Sequence, residues 1–297
     1  MSKKESTPEG KSKEFLVITK YPENYKIFDM RANKPVCYKA SEEASMVLQE
    51  IDTIEFSTRI NGKKNVLDYF APNNVGVLLS IAHKSLITAK DIYDKNLNPD
   101  KVNHLEGFEN LDKRNAIIMK SKIIYDFIEL IQSSIVFGYT ALEAFSNLSI
   151  PSTFQYKTEP NGKGIIEIYD KDAVERWVPL RTKISEILVD IYKTKSIKQK
   201  NLWNKFIQFE ELRNEIIHQK SINSTNLYKK YFRKGFFEVC ETPEEVIRFF
   251  FEERENKKMT DPLWPWVING KNEFPVSNNY NPDNFEVTGN IFERRSS

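Results

Sequence analysis

Cysteine is scarce in this chain of 297 residues: only Cys37 and Cys240 occur, and they lie far apart. They form neither a CxxC pair nor a disulfide framework, which excludes both kinds of cysteine motif and makes a reducing compartment the simplest setting. Histidine is equally sparse, with three residues and no HExxH, so no zinc site is legible and neither metal nor cofactor is expected. Asn161-Gly-Lys-Gly164 lacks the Walker A pattern and reads as a turn rather than a phosphate loop. No stretch stays apolar long enough to span a bilayer, and the opening Met-Ser-Lys-Lys-Glu-Ser has charge but no apolar signal region. A soluble, cytoplasmic protein with no membrane partner is therefore expected. Neither sign of charge dominates: 44 basic against 42 acidic residues leave +2, so no global field announces a nucleic-acid binder and any RNA or DNA site must be local.

What is present suits a globular protein, with 40% hydrophobic and 29% charged residues and heavy use of Phe and Tyr. The length allows two domains. Residues 1–13 are polar with Pro and Gly, which predicts a flexible tail. Phe15–Thr19, Tyr25–Phe28 and Pro35–Tyr38 are short β-branched or aromatic runs, which predict a small meander of strands. Ser41, followed by Glu42 and Glu43, resembles an N-cap, and Met46, Val47, Leu48 and Ile51 continue it as a helix. Asn61-Gly62 marks a turn before Val66–Phe70, and residues 75–93 carry helical spacing. Residues 14–100 thus read as an N-terminal mixed α/β domain.

Residues 101–258 are helical in character, giving a mainly α fold overall. Ile117, Ile118, Ile123, Ile124, Phe127, Ile131, Ile135, Tyr139 and Leu142 occupy several faces of one long helix, which predicts that it is largely buried. Pro151 ends it, because proline lacks the amide hydrogen a helix needs. Residues 152–171 read as an inserted hairpin or ordered loop, and helical spacing resumes over 172–194, 199–219 and 242–255. Residues 259–297, rich in Pro, Asn and Gly, read as an irregular C-terminal arm.

The chemistry-bearing segment is Glu211–Lys220. On a wheel of about 100° per residue, Leu202, Phe206, Phe209, Ile216 and Ile217 share one side, with Arg213 near its middle. A guanidinium there needs an anion or a polar cleft, because an unpaired buried charge costs several kcal/mol or more. Asn214 and His218, four apart, share one flank beside it. On the earlier long helix, Glu143 and Asn147 are also four apart in an apolar setting, and Glu143 is the expected partner of Arg213.

Arg213-Asn-Glu-Ile-Ile-His218 resembles the R-x(4–6)-H motif of HEPN domains, and Ala141–Asn147 resembles a segment that HEPN proteins carry on an earlier core helix. The resemblance covers roughly residues 110–255. It implies a helical bundle, usually dimeric, and in many members a metal-independent endoribonuclease found in bacterial toxin, abortive-infection and defence systems. The implied products are a 2′,3′-cyclic phosphate and a 5′-hydroxyl. Arg213, Asn214 and His218 would then be catalytic, with Glu143 and Asn147 supporting them. His218 from each of two copies would flank one phosphate, since a single imidazole cannot comfortably serve both sides of an in-line displacement. The implied partners are RNA, a second copy and an antitoxin or regulatory protein.

Lys195, Lys198 and Lys200 precede the motif helix and Lys229, Lys230 and Arg233 follow it among aromatics; both sets are candidate RNA contacts. His83 and His104 read as structural or solvated. The same residues also fit two other classes of protein. One is a catalytically silent dimer that binds RNA, a nucleotide or protein; the other is a chain whose α/β domain carries the function.

Overall fold

The computed structural model describes residues 13–20, 29–39, 45–103, 111–160, 162–218, 225–255 and 285–290. The expected flexible tail, apart from residue 13, the strand at Tyr25–Phe28 and His104 lie outside them. The chain forms two compact units, one of residues 1–73 with 258–297 and one of residues 74–257. This division differs from the expected one at residue 100.

The first unit is a sheet. Its strands are β1 (Lys13–Thr19), β2 (Val36–Lys39), β3 (Ser45–Ile60) and β4 (Lys63–Phe70), with β7 (Phe285–Asn290) arriving from the far end of the chain. The order is β2-β3-β1-β7, and β4 also pairs with β3. All pairings to β3 are antiparallel, whereas β7 runs parallel to β1. Met46, Val47, Leu48 and Ile51 are therefore strand residues, which corrects the expected helix. The apolar run 46–48 is short enough for either state, and its partners decide: Leu48 faces Val17 on one side and Val36 on the other. Phe15, Val17 and Leu48 form a buried cluster flanked by Val36 and Met46. The Asn61-Gly62 turn is present, both residues having positive φ (52° and 76°), the conformation of a tight hairpin. Within the C-terminal arm, β7 replaces irregular structure.

The second unit is helical, so the described fold is mostly α. Helix α1 (Asn74–Ile92) ends in a π-helical turn, Tyr93–Leu97. Its apolar positions Val75, Leu79, Ala82, Leu86 and Ala89 are buried, and it packs along α2 (Lys113–Ser149), which explains why it belongs with the helices. Asp112 caps α2 by accepting from the Asn115 amide at 2.9 Å. Buried side chains line α2 only from Phe127 onward, among them Ile131, Ile135, Leu142 and Phe145; Ile117, Ile118 and Tyr125 are more than half exposed. The expectation of a largely buried helix thus fails for its first three turns, where no described helix covers those side chains.

A short ladder of β5 (Tyr156–Lys157) and β6 (Ile168–Tyr169) makes the expected inserted hairpin. Its Tyr156 and Tyr169 pack on the buried cluster Ile150, Val174, Val178 and Ile187. Helical structure over 172–194 is interrupted at Pro179: α3 (Lys171–Trp177) is followed by α4 (Leu180–Thr182), a π turn (Lys183–Ile187) and α5 (Leu188–Tyr192). Then come α6 (Asn201–Ile217), α7 (Asn226–Lys230), α8 (Phe236–Cys240) and α9 (Thr242–Glu253). Phe145, Tyr192 and Phe250 meet in a ring cluster with centroids 5.6–6.4 Å apart, tying α2, α5 and α9 together. No helix among the described residues is long and apolar enough to cross a membrane.

Candidate functional site

Helix α6 seats Phe206 and Phe209 in the core, and Phe209 stacks on Tyr139 of α2 with centroids 6.5 Å apart. The charged residue buried on this face is Glu210, not Arg213. Its two oxygens are both engaged: the Tyr139 hydroxyl donates to Oε1 at 3.2 Å, and the Arg181 Nε of α4 donates to Oε2. Burial, followed by the charges of Glu210 and Glu143, holds the Tyr139 hydroxyl well above the usual phenol value, while Arg213 acts the other way.

Arg213 lies half-buried with its Cζ 4.6 Å from the centre of the Tyr139 ring, a cation–π contact. Its Nη1 donates to Asn214 Oδ1 at 3.1 Å. Among the ion pairs of the described residues there is none between Arg213 and any carboxylate. The expected Glu143–Arg213 pair is therefore replaced within one chain: the Glu143 charge bears on Lys183 and Tyr139. Asn147 is likewise turned toward Lys183, whose Nζ donates to Asn147 Oδ1 at 2.9 Å and to the Glu175 carbonyl at 3.0 Å. Lys183 is buried, and burial lowers its ammonium below the usual lysine value against the raising effect of Glu143 and Glu175. Lys183 comes from a π turn, whose register periodicity does not reveal; that is why sequence reasoning missed it.

Asn214 and His218 are exposed. His218 is the C-cap of α6, its amide donating to the Asn214 carbonyl at 2.9 Å, so helix geometry fixes its backbone beside Asn214. Ile217 is 49% exposed, although the wheel placed it inward. Arg213 is thus backed by the Tyr139 ring, while Asn214 and His218 lie open on the exposed flank of α6.

The two basic candidate sets separate. Lys195, Lys198 and Lys200 lie before the first turn of α6, and about 27 Å of helix separates Lys200 from His218. Two of them are engaged with carboxylates: Lys198 lies 3.6 Å from Glu186 and Lys200 3.6 Å from Glu253. By contrast, Lys230 and Arg233 line a cleft of about 410 Å³ on the neighbouring face of α6, together with Lys234, Glu211 and Glu215. Lys229 is exposed but does not line it. Exposed His83 stands on α1, away in sequence from this arrangement.

No family model matches the chain, and no curated protein or solved structure matches it.

Proposed function

We propose that the chain is a HEPN-type, metal-independent endoribonuclease acting as a symmetric pair of copies, with Arg213, Asn214 and His218 at the reacting phosphate. The observation that supports it is the charge arrangement around Tyr139. Arg181 is spent on Glu210, whereas Arg213 rests on the ring and meets no carboxylate among the described residues. A guanidinium held by an aromatic face keeps N–H donors for an external anion, and its planar fork suits phosphate oxygens.

In the proposed reaction the ribose 2′-oxygen bonds to the adjacent phosphorus as the bond from phosphorus to the 5′-oxygen breaks. One group takes the 2′-hydroxyl proton, another gives a proton to the departing oxygen, and Arg213 stabilises the phosphorane charge. Imidazole suits both proton transfers at neutral pH, but they occur on opposite sides of phosphorus. His218 of a second copy supplies the other, and its exposure leaves it accessible to both RNA and that copy. Asn214, bonded to Arg213, orients the guanidinium. A bacterial defence or toxin system is the setting this chemistry suits.

The test is cleavage of RNA by the purified chain with chelator present, with the product ends analysed. Arg213→Ala and His218→Ala are each expected to lower the rate about 100-fold or more; exposed His218 should leave the unfolding transition unchanged, and loss of the ring contact should cost Arg213→Ala only about 1 kcal/mol. If the wild-type chain cuts no RNA class, and neither substitution relieves a growth defect on expression, the nuclease reading fails. The exposed His218 imidazole, with no side-chain hydrogen bond among the described residues to orient it, favours the second reading, a non-cleaving RNA- or nucleotide-binding dimer. That reading expects RNA to bind and remain uncut.

A further inference from the structure

Two turns before His218 on the same face of α6, Glu211 opens onto the cleft that the cleavage chemistry leaves unused. Its floor is apolar: Leu212 and Phe236 are buried, and Val239 lies beside them. One wall is already neutral, because Lys230 Nζ lies 2.6 Å from both oxygens of Glu215. Arg233 and Lys234, both exposed, form no ion pair among the described residues, and neither does exposed Glu211. At about 410 Å³ the cleft falls within the range of about 300–1,000 Å³ usual for small-ligand sites.

An apolar floor, two cations and one carboxylate that pair with no charge among the described residues together fit a ligand with an anionic end, a flat body and an edge of hydrogen-bond donors. A nucleotide has all three. Ionised Glu211 only accepts, so it favours a base edge presenting two adjacent N–H donors, which it can take in bidentate fashion. Guanine presents such a pair at N1 and N2. Adenine and cytosine set a single amino donor beside a ring acceptor, which would face the carboxylate repulsively, and uracil offers one donor between two carbonyls. We infer that this cleft is a guanine-selective subsite for an RNA strand, with a phosphate on Arg233 and Lys234 and the base edge on Glu211. The inference rests on the RNA reading for the strand, not on cleavage. His218 follows Glu211 by seven positions, about 10 Å along the axis, so a base held there leaves neighbouring phosphates within reach of that imidazole.

The test uses the full chain and four U-rich RNA heptamers, each with G, A, C or U at the centre. Binding is measured by fluorescence anisotropy with His218→Ala, which prevents cleavage from removing the probe. The G-containing heptamer is expected to bind about tenfold or more tightly than the others. Glu211→Gln in that background should erase the preference while leaving the all-U affinity within about twofold. Arg233→Ala with Lys234→Ala should weaken all four and flatten the salt dependence of binding. Circular dichroism checks that each variant is folded. Equal binding of the four heptamers, a preference that survives Glu211→Gln, or wild-type-like affinity in the Arg233/Lys234 variant would overturn the subsite. A guanine preference in a chain that cuts no RNA would leave the subsite standing and remove the nuclease; cleavage indifferent to Glu211, Arg233 and Lys234 would do the reverse.

Discussion

At Tyr139 the hydroxyl and the ring face serve different charges: the hydroxyl donates to buried Glu210, while the ring supports half-buried Arg213. The Glu210 side chain is 8% exposed and that of Arg181 45%, so the two partners should respond unequally to removal. Arg181→Ala strips a buried carboxylate of its cation and is expected to cost about 2–4 kcal/mol. Glu210→Gln keeps an acceptor for Arg181 and can turn its amide nitrogen to donate to the Tyr139 oxygen, and it leaves a cation that water can solvate; it should cost about 1 kcal/mol. Urea denaturation of the two variants measures the asymmetry, and equal losses would contradict it. Cys240 provides a separate residue-scale expectation, since burial pushes its thiol from the usual 9 up to about 12. The folded chain keeps this proton while the unfolded chain releases it, so stability present below pH 9 is lost as pH rises toward 12. The contribution of Cys240 approaches about 1.4 kcal/mol per pH unit. Denaturation series for wild type and Cys240→Val should diverge above pH 9; parallel curves would rule the thiol out as the cause.

Among the helices, close approach is set by one residue of α2. A Cβ added at Gly138 would lie 2.9 Å from the Pro243 Cγ of α9 and 3.3 Å from the Phe209 Cζ of α6. Alanine is favoured over glycine in a helix by about 1 kcal/mol, yet here that gain is opposed by overpacking against a proline ring. Gly138→Ala is expected to destabilise by about 1–2 kcal/mol net, read as a lowered midpoint in thermal unfolding. A raised midpoint would show that α9 yields easily. Because Tyr139 is the next residue, this crossing also sets the ring on which Arg213 rests, and the proposed RNA cleavage is expected to fall with the stability.

For the molecule as a whole, the proposed site is complete only when two copies meet. Mixing wild-type chain with an excess of His218→Ala chain, after exchange of subunits, should lower cleavage as the square of the wild-type fraction, because the proposed mechanism takes one imidazole from each copy. Activity falling linearly with that fraction would mean that one copy suffices. Sedimentation of the mixture checks that chains carrying His218→Ala still assemble with wild type.

Local periodicity was enough to place α1, α2, α6 and α9, because an apolar stripe repeating every three to four residues has one helical solution. The Asn61-Gly62 turn was legible for a similar reason, as both residues tolerate positive φ. The shared flank of Asn214 and His218 also follows from their spacing of four along one helix. Partnership between remote segments was not legible. Residues 45–60 became a strand through pairing with β1, β2 and β4, and β7 joined that sheet from more than 200 residues away. Charges were distributed in the same way: α4 and its π turn brought Arg181 to Glu210 and Lys183 to Asn147, leaving Arg213 for the Tyr139 ring. Residue type and local spacing determine which groups a helix can offer; only the packing of other elements determines which of those groups are already neutralised and which remain for a ligand.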